Sequence, residues 1–73
     1  MAETELQRVG KAIRRFRVDL KMSQDSFADK IDMHRAYYGA IERGSQNITL
    51  ATLFKVCVGL GTQPSDVLKD AGL

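Results

Sequence analysis

Side chains able to form specific hydrogen bonds are concentrated in one stretch, DMHRAYYGAIERG, which runs from Asp32 to Gly44. The stretch contains a histidine, two arginines and two adjacent tyrosines among small residues. An arginine can donate two parallel hydrogen bonds to the O6 and N7 atoms of guanine, or it can contact a phosphate. These residue types indicate a nucleic-acid contact, provided that a helix presents them on one exposed face.

Catalysis and metal binding have little support in the rest of the chain. One histidine, His34, and one cysteine, Cys57, cannot supply four nitrogen or sulfur ligands to a zinc ion or form an internal disulfide. The sequence has no glycine-rich phosphate loop and no nucleophile–base pair, and it has no volume for a buried pocket. We therefore expect no enzymatic activity, no metal and no cofactor. We expect Cys57 to be a small buried side chain rather than a redox sensor.

Hydrophobic spacing and capping residues predict an all-α fold of five short helices. Thr4 and Gln7 form a capping-box pattern at the start of the first helix, and Gly44 ends the third. Asp25 is expected in the first turn of the second helix, at the positive end of the helix dipole. Further helix-end signals are Ser23 and Thr49 as N-caps, Gly61 as a C-cap and Pro64 as a first helical residue. The predicted helices cover residues 4–21, 24–31, 35–43, 50–60 and 64–71.

The predicted core is formed by apolar residues at helical spacing. In the first helix these are Leu6, Val9, Ile13, Phe16 and Leu20. In the other helices they are Phe27, Ala28, Ile31, Tyr38, Ile41, Leu53, Val56, Cys57, Leu60, Val67 and Leu68.

Length and composition indicate one domain covering residues 1–73, near the lower size limit for a single core. No apolar run approaches the roughly 18 residues of a membrane span, and the N-terminus lacks the apolar core of a signal peptide. The sequence therefore predicts a cytoplasmic protein with no membrane partner. Stabilisation by a partner subunit is expected for so small a core.

The basic residues are unevenly distributed although the net charge is only +2. The segment from Arg8 to Lys21 contains six basic residues and one acidic residue, Asp19. A basic stripe on one helix suits a polyanion, while a solvated helix face explains such a run equally well.

The run SQDSFADKIDMHRAYYGAIERG, residues 23–44, resembles the phage-repressor/Cro-type (XRE) helix-turn-helix family. The likeness continues through NITLATLFKVCVGLG, residues 47–61. Within it, HRAYYGAIERGSQN is similar to the small controller proteins of restriction-modification systems, which act as dimers. The residues that carry the resemblance are Gln24, Ala28, Met33, Ile41, Glu42 and Gly44.

This resemblance implies a lambda-repressor-like domain with its helix-turn-helix at about residues 23–44. The implied function is a sequence-specific regulator of transcription that binds double-stranded DNA as a homodimer on an inverted-repeat operator. Two alternatives are an antitoxin-type autoregulator and a protein-interaction module that has lost DNA binding. Activation of transcription would need a contact with RNA polymerase, and no residue in the sequence identifies a surface for one.

In such a domain the N-terminal part of the third helix reads bases in the major groove. Arg35 is the first choice for base contact, with a phosphate contact or a plain surface arginine as the alternative. Tyr37 would pack on the DNA backbone or shield the domain edge, His34 would be a phosphate contact or a turn residue, and Asn47 would contact phosphate or close its loop. The predicted DNA-contacting residues are Ser23, Gln24, His34, Arg35, Ala36, Tyr37, Gly39, Arg43, Ser45, Gln46 and Asn47.

Two further groups are assigned to structure and assembly. The resemblance pairs Arg17 of the first helix with Glu42 of the third, which would fix the recognition helix to the domain. Leu50, Phe54 and Val58 form a second apolar row on the fourth helix, beyond what a small core can bury. With Leu73, this row predicts a two-fold interface, and the alternative for Phe54 is an ordinary core position.

Overall fold

The computed structural model describes residues 2–73 and contains, within that range, five helices and no strand. The all-α prediction is confirmed, and every helix end lies within two residues of its expected position. No helix in the described range is long and apolar enough to cross a membrane. The helices are α1 (Glu5–Asp19), α2 (Gln24–Lys30), α3 (Arg35–Arg43), α4 (Leu50–Leu60) and α5 (Pro64–Asp70).

The helices begin where polar side chains satisfy their first backbone amides. The Thr4 hydroxyl accepts a hydrogen bond from the Gln7 amide at 3.1 Å, and the Gln7 side chain accepts one from the Thr4 amide at 2.9 Å. Ser23 and Thr49 cap α2 and α4 in the same way. Because each cap satisfies a donor that the helix itself leaves unpaired, the sequence determines these boundaries locally.

The core lies where all five helices meet. Phe27 and Tyr38 are completely buried, with ring centroids 5.1 Å apart and tilted planes. Cys57 is buried as predicted, and burial raises the pKa of its thiol. The prediction for Leu20 was wrong: α1 ends at Asp19, so Leu20 lies outside the helical stripe and is exposed.

Helix α1 crosses α3 in backbone contact at Gly10. A Cβ atom placed on Gly10 would lie 2.4 Å from the carbonyl oxygen of Glu42 and 2.5 Å from that of Ile41. Only glycine permits this approach, which brings the C-terminal half of α1 alongside the end of α3. The crossing thereby sets the position of the helix that presents the candidate site.

Gly10→Ala should therefore destabilise the fold by about 1–3 kcal/mol, because the new methyl group meets backbone atoms that cannot turn aside. Urea unfolding measures the loss. Gly39→Ala is the matched control, since its methyl group would meet only the ends of the long Arg43 and Gln24 side chains, at 3.3 and 3.7 Å, which can turn aside. An equal loss in both variants would contradict a backbone-limited crossing at Gly10.

Candidate nucleic-acid interface

A four-residue turn, residues 31–34, joins α2 to α3. Asp32 lies in the left-handed region with φ of 55°, and the Met33 amide donates to the Ala28 carbonyl at 2.8 Å. Lys55 of α4 donates to the Asp32 carbonyl at 3.2 Å. Aspartate tolerates positive φ better than most residues, so the chain turns at this position without glycine.

A buried ion pair fixes α3 to α1. Arg17 Nε donates to Glu42 Oε2 at 2.7 Å, and Arg17 Nη2 donates to Glu42 Oε1 at 3.0 Å. The two residues are only 8% and 6% exposed, and Arg17 Nη1 also donates to the Met22 carbonyl at 2.8 Å. The guanidinium therefore holds α1, the segment before α2, and α3 in one arrangement.

Two further donors complete the surroundings of Glu42. The Tyr38 hydroxyl donates to Oε2, and the Gln24 amide nitrogen donates to Oε1 at 2.8 Å. Burial alone would raise the pKa of the Glu42 carboxyl, but hydrogen bonds from Arg17, Tyr38 and Gln24 outweigh it and lower the pKa below its ordinary value of 4.5. The carboxylate is therefore ionised at neutral pH, and the Gln24 contact braces α2 against α3.

The first turn of α3 is open to solvent. Arg35 and Ala36 are exposed, and Tyr37 is half-buried against the core. The Ala36 amide donates to His34 Nδ1 at 3.3 Å, so the imidazole caps α3 in place of the usual hydroxyl or carboxylate. The predicted base-contacting end of the helix is thus both exposed and anchored.

The position of Gly39 differs from the prediction. The sequence predicts Gly39 on the groove-facing side of α3, but the residue is buried. A Cβ at this position would lie 3.3 Å from Arg43 Nη1 and 3.7 Å from Gln24 Oε1. Gly39 therefore makes room for these two side chains, which fold over it.

The other predicted contacts lie at the start of α2 and after α3. The Ser23 hydroxyl caps α2 by accepting a hydrogen bond from the Ser26 amide at 3.1 Å. The Ser45 hydroxyl donates to the Ala40 carbonyl at 3.3 Å, which helps to close α3. Gln46 and Asn47 are exposed, and within residues 2–73 the Asn47 side chain makes no hydrogen bond that closes the loop.

Most basic residues of the Arg8–Lys21 segment are paired within the domain. Arg8 donates to two carbonyl oxygens just after α5, at 3.0 and 2.8 Å, and Arg15 pairs with Asp70 at 2.7 Å. Among the six basic residues from Arg8 to Lys21, only Arg14 and Lys21 have no ion-pair or side-chain hydrogen-bond partner within residues 2–73. The remaining pairs are Lys11 with Glu3 and Arg17 with Glu42.

The second apolar row of α4 faces solvent. Leu50, Phe54 and Val58 are 72%, 55% and 81% exposed, so Phe54 is not a core residue. Leu73 is also exposed. This row is the most exposed apolar feature of α4 and lies beside its buried stripe.

Sequence reasoning missed two members of the site. Tyr38 was assigned to the core alone, although its spacing of four residues from Glu42 on one helix allows the hydroxyl to reach the carboxylate. Asp25 was assigned only to the helix dipole, yet its Oδ2 lies 3.2 Å from Arg35 Nη1. The second contact depends on how α2 and α3 cross, and local spacing does not give that angle.

Two short helices held at a fixed angle, with an exposed arginine opening the second, define a helix-turn-helix protein. A family model described as "Helix-turn-helix" matches residues 13–67. The chain belongs to this family. Control protein C.MunI of Mycoplasma sp is 43% identical over 60 residues, which cover 82% of this chain and 78% of that protein.

Two solved structures show the same fold over nearly the whole chain. The clp gene regulator ClgR from C. glutamicum superposes with a TM-score of 0.94 at 28% identity, covering 99% of this chain and 92% of that one. The restriction-modification controller protein C.Esp1396I, solved as a tetramer in complex with its natural 35 base-pair operator, superposes with a TM-score of 0.83 at 26% identity. That match covers 99% of this chain and 100% of the other.

The Glu42 network makes stability depend on pH in a defined direction. Because the pKa of Glu42 is lowered in the fold, its contribution is complete above pH 4.5 and is lost as the pH falls through the folded value. Tyr38→Phe should destabilise the protein by about 1.5–3 kcal/mol at pH 7, the range for a hydrogen bond to a charged group. The difference from the wild type should shrink as the pH falls below 4.5 through the lowered folded pKa of Glu42, because protonation weakens the same contact.

Urea unfolding at pH 7, 4 and 3 tests this expectation. Tyr37→Phe is the matched control, because within residues 2–73 its hydroxyl makes no hydrogen bond to another side chain. If Tyr38→Phe lowered the free energy of unfolding no more than Tyr37→Phe does, or by the same amount at every pH, the Tyr38 hydroxyl would not stabilise the Glu42 carboxylate.

Proposed function

We propose that this protein is a sequence-specific DNA-binding regulator of transcription that acts as a homodimer on an inverted-repeat operator and controls a restriction-modification system. The observation that carries the proposal is the first turn of α3, where Arg35 is exposed at the end of a helix anchored by a buried ion pair. The similarity to C.MunI and to the operator-bound controller C.Esp1396I supports the restriction-modification assignment.

In this proposal α3 enters the major groove with its N-terminal end toward the bases. Arg35 donates two hydrogen bonds to guanine O6 and N7, and Ala36 permits close approach to the base edges. Tyr37 lies at the edge of this contact and packs on the sugar-phosphate backbone. Few hydrogen-bonding groups face the groove, so DNA shape contributes to selection of the site.

Phosphate contacts flank α3 on both sides. Ser23 and Gln24 approach one strand with the first amides of α2, while Gln24 also braces α3 through Glu42. His34 lies beside them at the start of α3. On the other side the proposed contacts are Arg43, Ser45, Gln46 and Asn47. Because each neutralised phosphate releases counterions, affinity should fall steeply with salt.

The homodimer is assigned to the exposed row of α4. A two-fold axis through Leu50, Phe54 and Val58 would cover apolar side chains that the monomer leaves in water, and we assign the exposed Leu73 to the same interface. The dimer would place its two α3 helices in successive major grooves about 34 Å apart. Chelation of both half-sites then strengthens binding without any additional base contact.

Selection of bound duplexes from a random pool, followed by titration at two salt concentrations, tests the function. We expect enrichment of an inverted repeat with half-sites about one helical turn apart. Absence of enrichment, with weak binding that modest salt abolishes, would contradict the proposal and favour a helix-turn-helix that serves a protein partner.

Arg35→Ala should relax the preference at one base pair in each half-site and weaken operator binding, since each good arginine–guanine pair provides about 1–3 kcal/mol of discrimination. Arg14→Ala is the matched control, because it removes the same charge from an exposed arginine without an ion-pair partner in the described range. Binding to a panel of single-base operator variants measures the preference. A uniform loss on every sequence would assign Arg35 to phosphate instead of base contact.

Val58→Glu should convert the dimer into monomers and weaken operator binding at least about tenfold, as loss of a central interface residue does. The residue is exposed, so the monomer should keep its fold. Sedimentation equilibrium and operator titration measure the two effects. Val18→Glu, at an exposed apolar position on α1, is the control; a dimer that survives Val58→Glu would place the interface elsewhere.

A further inference from the structure

Asp25 contacts the proposed base-reading arginine from the neighbouring helix. Its Oδ2 lies 3.2 Å from Arg35 Nη1, and the two side chains are 67% and 74% exposed. An ion pair this open to water contributes little to folding stability. The contact also lies at the surface that the proposed function turns toward DNA, so a role in DNA binding explains its position better than a role in the fold.

The atoms involved leave Arg35 ready for a base. Asp25 engages only Nη1, so the edge formed by Nε and Nη2 has no partner within residues 2–73. That edge carries two parallel N–H groups, the fork that matches guanine O6 and N7. A long side chain held at one nitrogen also loses less rotamer freedom when it docks.

The charge of Asp25 acts against unspecific binding. Without the carboxylate, the Arg35 side chain could turn to a phosphate on any sequence and gain affinity there. With it, part of the guanidinium charge is balanced by the neighbouring carboxylate, which the DNA backbone itself repels. Disfavouring the wrong partner in this way increases discrimination even where it does not increase affinity for the right one.

We infer that Asp25 is a specificity-determining residue that acts through Arg35, positioning its guanidinium for guanine and reducing its attraction to phosphate. This inference rests on the proposed function. It assigns to an acidic residue of α2 a part in base selection, although that residue need not touch a base.

Binding of Asp25→Asn to the selected operator and to a scrambled duplex of equal length and composition tests the inference. We expect the ratio of the two affinities to fall about two- to fivefold, the range for an exposed ion pair, mainly because binding to the scrambled duplex tightens. The salt dependence on the scrambled duplex should steepen by up to about 0.9 in the log–log slope, one additional phosphate contact. Thermal unfolding checks that the variant is folded.

Asp29→Asn is the matched control, because it removes the same charge from an exposed residue one turn further along α2. It should affect both duplexes equally and leave the affinity ratio unchanged. If Asp25→Asn and Asp29→Asn changed the affinity ratio equally, the change in net charge would explain the effect, and the inference would be wrong.

A double-mutant cycle shows whether Asp25 acts through Arg35. The double variant Asp25→Asn/Arg35→Ala should have the same ratio of operator affinity to scrambled-duplex affinity as Arg35→Ala alone. A further fall would mean that Asp25 acts independently of Arg35, and the inference would be wrong. If the wild type itself does not prefer any duplex, the proposed function fails and the inference falls with it, a result distinct from an unchanged ratio in Asp25→Asn.

Discussion

The buried pair of Arg17 and Glu42 is the interaction on which the rest of the structure depends. Two charges removed from water are stable only when nearly every donor and acceptor is satisfied, and here Arg17 uses three nitrogens while Glu42 receives donors from three residues. Since those partners come from α1, α2 and α3, one carboxylate fixes the relative positions of all three helices. The backbone contact at Gly10 allows α1 to approach closely enough for the pair to form.

The same constraint separates residues that hold the site from residues that face outward. Tyr38 and Glu42 occupy the inner side of α3 and are satisfied within the domain. Arg35 and Ala36 lie on the outer side of α3, and their orientation is set by the contacts of Tyr38 and Glu42 on the inner side. A recognition helix anchored in this way does not need to reorganise before it binds, which reduces the entropy lost on docking.

The charge distribution follows from this division. Although the net charge is only +2, most basic residues of α1 are engaged within the fold: Arg8 with the end of α5, Arg15 with Asp70 and Arg17 with Glu42. Part of the positive charge of α1 is therefore balanced within the domain. In the proposed function the contacts come from a small set of side chains around α2 and α3, and the pairing of Asp25 with Arg35 reduces the free positive charge further.

The helix boundaries could be predicted from local chemistry, whereas the partners of the long side chains could not. Thr4, Ser23, Thr49 and Gly44 act within a few residues of themselves, so the helix boundaries could be predicted from the sequence. The pairing of Arg17 with Glu42 came from family resemblance, because spacing alone does not bring residues 17 and 42 together. The burial of Gly39 could not be predicted, because it depends on how Arg43 and Gln24 fold over it. The partners of Arg8 and Arg15 depend on how α5 returns to α1.

The most direct measurement of the central claim is the nitrogen-15 NMR spectrum of the protein with and without its operator, including the Arg17 Nε–H signal. An anchored recognition helix predicts that the amides of Arg35, Ala36 and Tyr37 shift on binding, while Arg17 Nε–H stays in place and protected from exchange with water. Movement or rapid exchange of the Arg17 signal in the complex would mean that the ion pair opens when DNA binds. That result would contradict the account of a recognition surface built in advance by Arg17 and Glu42.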